Sequence, residues 1–169
     1  MPLPKKLKNM NLFNEGASYM GVVSEVTLPT LERNMQEFRG GGMNAPVETD
    51  HGMNLMELSW KAGGMVRQVL EQFGACGVND VGLRFAGAYQ EDATCKVSAV
   101  EVIVRGRHKT INPGAAKPGD DTEWEMTSSL AYFQMVIDGD VVVEIDPLNF
   151  VETVNGVDRL EEQRAALGI

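Results

Sequence analysis

The chain has 169 residues and 43% hydrophobic content, enough for one domain with a real core and too apolar for a disordered tail. Its formal charge of −9 argues against non-specific nucleic-acid binding, which depends on Lys and Arg neutralising phosphates. The early lysines of "MPLPKKLKNMNLF" lead into no apolar signal core, and no apolar run approaches the ~18–20 residues of a membrane span. The expectation is a soluble protein made in the cytoplasm, with no membrane insertion.

In chain order, "NLFNEGASYMG" reads as a short strand, a tight turn at Asn14-Glu15-Gly16 and the start of a second strand. Alternation then places Met20, Val22, Val26 and Leu28 on one face and Val23, Glu25 and Thr27 on the other. Pro29 interrupts it, which suits an edge or a bend. Residues 40–52, "GGGMNAPVETDHG", read as a long pliable connection between strands. Beyond it, Met56, Leu58 and Trp60 share one face of a half-buried strand, and Glu57, Ser59 and Lys61 share the other.

The period changes in "MVRQVLEQFG". Val66, Val69, Leu70 and Phe73 recur at helical spacing, the Val66/Leu70/Phe73 stripe is expected to pack on a sheet, and Gly74 ends the helix. Strands resume with "VGLRFAGAYQ" and "CKVSAVEVIVRGRHKTI", where Val100, Val102 and Val104 lie on one side. A connector, "NPGAAKPGDD", precedes a long run that breaks at Asp138-Gly139, a strong hairpin signal. The end reads as a turn into a helix, with Asp158 as N-cap and Glu161 three residues on. The sum is a mainly β (α+β) fold in a single domain, residues 1–169, with two short helices.

Candidate chemistry is sparse. Gly40-Gly41-Gly42 does not run on into G-K-[ST], so a phosphate loop fails on spacing. His51 and His108 are the only histidines; neither has a partner at metal-ligand spacing, and both read as solvent-exposed. Cys76 and Cys95 form no C-x-x-C pair and read as reduced, partly buried thiols. "RGRHK" at 105–109 is the one basic cluster and reads as strand-end charges that pair with carboxylates of a neighbouring chain. The acidic pairs in "EDATC" and "GDDTE" read as solvated turns. No catalytic, metal or cofactor site emerges, and nothing argues for an enzyme.

The stretches "VTLPTL", "FRGGGMNAPV", "LRFAGAYQ", "VEVIVRGRHKTI" and "EIDPLNFVETVNGVDRLEEQRAALGI" resemble, in this order, the major tail tube proteins of contractile-tailed phages and the related R-type pyocins. The resemblance runs over nearly the whole chain. It implies a β-sandwich or half-barrel tail tube fold with a flanking helix and a C-terminal helix. It also implies a hexameric ring with a continuous inner β-barrel, and rings stacked into a tube. A barrel of about 24 strands would leave a bore of about 40 Å, wide enough for duplex DNA.

Under that resemblance the loop at about residues 39–53 reaches the adjacent ring, through Gly40, Gly41, Gly42, Met43, Asn44, Ala45, Pro46 and Val47. Polar-face positions supply the lumen candidates Glu25, Glu32, Asn34, Glu57, Glu123 and Glu125, with an acidic wall repelling DNA and keeping it mobile. The implied partners are further copies of the chain, a sheath protein, and tape-measure, terminator and baseplate hub proteins. The implied location is the virion tail, assembled in the host cytoplasm, with DNA passing through without specific binding. Two other readings stay open: a small-molecule-binding β-barrel with the glycine loop as lid, and a pyocin tube that passes no DNA.

Overall fold

Two long strands organise the molecule, for which the computed structural model describes residues 1–169. In chain order the elements are β1 (Lys6–Asn14), β2 (Ala17–Ser18), β3 (Val23–Thr27), β4 (Arg33–Phe38), β5 (Val47–Met53), β6 (Met56–Ala62) and α1 (Arg67–Gln72). There follow β7 (Val81–Gln90), β8 (Val97–Asn112), β9 (Trp124–Ile137), β10 (Asp140–Asp146), β11 (Val151–Val154), β12 (Val157–Asp158) and α2 (Glu161–Leu167). β8 and β9 pair antiparallel from Val100↔Ile137 to Asn112↔Glu125.

The other edge of β9 is shared. Its first half, Trp124–Leu130, pairs with β6, and Phe133–Ile137 pairs with β10. β3 extends the β6 side, while β11 and β12 extend the β10 side. On β8, β7 covers only Val97–Gly106, and β1 and β2 follow beyond it. The sheet therefore forks near Gly106, where β8 slips register between Arg105 and Gly106 and again between His108 and Thr110. Bulges of this kind bend a strand and increase its twist. Gly106 is required there: a Cβ would collide with the Ser129 carbonyl oxygen and lie 2.9 Å from Leu130 Cα.

The ten-stranded sheet curls over its own core. Tyr19, just past β2 at one end of the strand order, stacks on Trp60 of β6 near the other, with ring centroids 5.3 Å apart. Seventeen buried apolar residues form one cluster, including Leu12, Leu58, Trp60, Val69, Phe85, Val102, Val104 and Phe133. Each such side chain contributes about 1.5–3 kcal/mol through removal of apolar surface from water. The hairpin expected at Asp138-Gly139 forms, with both residues at positive φ (50° and 85°) as a tight two-residue turn requires.

Several expectations change. Met20 and Val22 are exposed in a turn, and a register shift between Val23 and Glu25 lets Val23 pack on the core together with Val26. On α1 it is Val66 and Val69 that face the sheet; Leu70 and Phe73 remain 46% and 57% exposed. A six-residue helix is too short to bury a full stripe. Asp158 lies in β12, not at an N-cap, because Asn155-Gly156 (φ 52° and 75°) turns β11 back into a second small hairpin. Its carboxylate still braces α2, accepting from the Leu160 amide and pairing with Arg164.

Candidate assembly surfaces

Beyond the fork, β3, β6, the first half of β9 and the last part of β8 form a four-stranded sheet with one buried face. Period-2 alternation sends the other residues outward. Register aligns Glu57 with Ser129, Ser59 with Thr127, and Lys61 with both Glu25 and Glu125. Lys61 Nζ lies 3.6 Å from Glu25 and 3.4 Å from Glu123, and its hydrogen bond to Glu123, followed by the Glu25 charge, raises the ammonium pKa above its ordinary value. Lys109 Nζ donates to Glu57 at 2.7 Å, and the Ser59 and Thr127 hydroxyls are 3.1 Å apart.

Four of the lumen candidates, Glu25, Glu57, Glu123 and Glu125, are thus brought to one surface. It is not a uniformly acidic one, since Lys61, Lys109 and Arg107 are interleaved with them. Glu32 and Asn34 are not on it: Glu32 precedes β4 and Asn34 lies within it. Both margins of this sheet are open. β3 has a strand on one side only, and so does β8 beyond Gly106. An exposed edge offers unpaired backbone donors and acceptors and is a template for pairing with another chain.

The long connection expected at 39–53 is half strand. Val47–Met53 form β5, paired with β4 as a separate two-stranded arm, so the connecting loop shrinks to Arg39–Pro46. Sequence hid β5 because "VETDHGM" has no apolar alternation; it is exposed at nearly every position. At the tip the Met43 amide donates to the Gly40 carbonyl, and Arg39 Nε donates to the Met43 carbonyl. Phe38 faces Val47 and Glu37 faces Glu48 across the arm.

At its root, Arg33 donates through Nε to both Asp50 oxygens (3.1 and 2.9 Å) and pairs through Nη1 with Glu152 of β11. The arm is so tied to the C-terminal strands. The Arg33 guanidinium lowers the Asp50 pKa below the usual carboxylate range, aided by the Gly52 amide. Neither Arg33 nor Asp50 was singled out in the sequence. The only available signal was their placement on facing strands, which required β5 to be recognised first.

His51 is exposed on β5, near the Thr49 hydroxyl. His108 is buried, a correction: its Nδ1 is 2.9 Å from Ser128 Oγ and its Nε2 is 2.9 Å from Gln72 Oε1. Gln72 also exchanges two hydrogen bonds with Asn14, so a polar network pins α1 to β1 and β8. Burial lowers the His108 pKa below 6.5. The parity was legible, because Val102, Val104, Gly106 and His108 are two apart. "RGRHK" therefore lies within β8 and not at a strand end, with Arg105 and Arg107 donating to the Asn79 and Cys76 carbonyls of the same chain. Cys76 and Cys95 are both exposed rather than partly buried. No helix is long and apolar enough to cross a membrane.

Two open sheet edges, a polar outer face and a separate two-stranded arm are the features of this fold, and no pocket of catalytic side chains accompanies them. The family model for Phage tail tube protein FII matches residues 4–168, and the chain belongs to that family. It is 45% identical over 172 residues to the tail tube protein of Escherichia phage P2, covering all of both chains. It is 34% identical to the major tail tube protein of Serratia phage KSP20, covering 92% of this chain and 91% of that one.

Solved structures carry the same fold at low identity. One is a PVC sheath/tube terminator from an extracellular contractile injection system in the extended state (TM-score 0.61, 10% identity, 79% of this chain and 97% of that one). Another is a chain of the PVC sheath-tube complex (TM-score 0.60, 11% identity, 79% and 91%). A third is the tube-terminating cap of the anti-feeding prophage (TM-score 0.58, 11% identity, 79% and 91%).

Proposed function

We propose that copies of this chain join edge to edge into hexameric rings whose inner wall is the β3-β6-β9-β8 sheet, and that the rings stack into the inner tube of a contractile tail. The observation that carries this is the direction of the two open edges. Each neighbouring pair in the order β3-β6-β9-β8 is antiparallel, so β3 and β8 run in opposite senses. The β8 edge of one copy can then pair with the β3 edge of the next in the same antiparallel pattern, and a closed ring leaves no edge exposed.

The polar face then lines a water-filled bore. Glu25, Glu57, Glu123 and Glu125 keep it from attracting phosphates, while Lys61, Lys109 and Arg107 moderate the repulsion. Such a wall neither traps DNA nor builds a large like-charge field, which suits passage during ejection into the host cell. The β4–β5 arm, including Gly40–Val47, joins one ring to the next. Partners follow from relatives: a PVC neighbour sits in a sheath-tube complex, and others terminate or cap a tube. A sheath on the outside, a terminator, a tape-measure protein and a baseplate hub complete the assembly in the host cytoplasm.

Negative-stain microscopy of the purified protein tests this reading. Rings or tubes with a central bore are expected; a protein that stays monomeric at millimolar concentration and binds a small ligand would contradict it.

A further inference from the structure

We infer that α1 is a clasp for the neighbouring copy in the same ring: its Leu70 and Phe73 cover Val26 and Leu28 on the β3 edge of that copy. This rests on the edge-to-edge reading and adds a second contact behind the paired strands. The first argument is position. Gln72 of α1 lies with its Oε1 2.9 Å from His108 Nε2, and the chain after the helix passes Arg107, whose Nη1 donates to the Cys76 carbonyl at 3.3 Å. That chain then enters β7, which takes up pairing with β8 only at Gly106. No backbone hydrogen bond ties residues 74–80 to β8 beyond Gly106, so the helix stands beside an edge that is still free.

The contact is confined to one side of the sheet. His108 is buried on the core face of β8, so α1 lies on that face. Val26 is directly opposite Trp60 and Leu28 is two residues on, so both point to the core face as well. In a copy paired to β8 they lie on the α1 side, while Glu25 and Thr27 lie on the bore side. Antiparallel pairing also sets the direction. β8 runs from Arg107 to Asn112, so the incoming β3 ends near Arg107, where α1 ends too. Each surface lacks cover in its own copy. Leu70 and Phe73 are 46% and 57% exposed, and Val26 and Leu28 are only partly buried because β3 has a strand on one side alone. A strand added to β8 at the ordinary spacing of about 4.8 Å carries its Val26 and Leu28 to the helix.

Two measurements on the full chain test the clasp. Leu70→Gln with Phe73→Gln should melt like the parent as a monomer, because both side chains are exposed. It should raise the threshold concentration for ring or tube formation by about tenfold or more, through loss of apolar burial between copies. Cross-linking reads the contact itself. In a Cys76→Ser, Cys95→Ser background, Phe73→Cys combined with Val26→Cys or with Leu28→Cys should give linked chains, from dimer to whole ring, when the assembled protein is oxidised. None of the three cysteine substitutions should link chains alone. Parent-like assembly of the glutamine variant, no linked chains with either partner, or a dimer from Phe73→Cys alone overturns the clasp. If the parent still forms rings or tubes, the edge-to-edge reading is untouched by that result. A parent that stays monomeric removes that reading and the clasp with it.

Discussion

Strands β5 and β6 follow one another in the chain and have seven residues each, yet they are held by different means. β6 lies between β3 and β9 and buries Met56, Leu58, Trp60 and Ala62 on one face. β5 pairs with β4 alone and buries nothing fully. An isolated two-stranded hairpin is marginal in water, whereas a strand with two neighbours and an apolar face is not. The first strand is ordered by the subunit's own core. The second is braced at its root by the ion pairs of Arg33 with Asp50 and Glu152.

Perturbations of the core side should have the largest effects. Trp60→Ala should cost about 3–5 kcal/mol, since it removes a fully buried ring that Tyr19 stacks on. Trp60 Nε1 is buried with no hydrogen-bond partner, so Trp60→Phe loses no hydrogen bond, leaves a smaller cavity and should cost less than Trp60→Ala. Chemical denaturation of both variants checks the pair; a parent-like midpoint for Trp60→Ala would remove the contrast between the strands. Gly106→Ala comes next, at about 1–3 kcal/mol, because the collision is with backbone and must be relieved at the fork.

A smaller effect should follow pH. Burial keeps His108 neutral below 6.5, so an unfolded chain binds a proton where the folded one does not. That contribution is complete above the unfolded value and is lost as pH falls through it, until the folded imidazole itself protonates. The melting temperature should drop between pH 7 and pH 5, roughly the window set by the ordinary histidine pKa. His108→Gln should drop less, and equal slopes for the two proteins would place the titration elsewhere. Smallest of all, Phe73→Ala should stay within about 0.5 kcal/mol in thermal melts of the monomer, because the ring is exposed. A larger loss would mean that α1 packs more deeply than its exposure indicates.

The same contrast explains what could be read from sequence. β6, β7, β8 and the β9–β10 hairpin declared themselves because burial on one face leaves an apolar period of two, and Asp138-Gly139 marked the turn. β5 carried no such pattern, since what orders it is not its own core. His108 was missed because a basic cluster was judged by composition instead of parity. Alternation was enough to put Glu25, Glu57, Glu123 and Glu125 on a polar face, but not to reveal their cations, because ion pairing across strands depends on register. Asn34 and Glu32 lie beyond the interruption that Pro29 marks, and alternation alone does not say which sheet a strand joins after a bend.

The most direct measurement is a density map of the assembled tube at side-chain resolution. The expected result is backbone hydrogen bonding between β3 of one copy and the end of β8 of its neighbour, with Glu57, Ser59, Lys61, Glu125 and Thr127 facing the bore. A map in which these residues face the outside, or in which β3 and β8 remain unpaired between subunits, would contradict the assignment of this sheet as the tube wall.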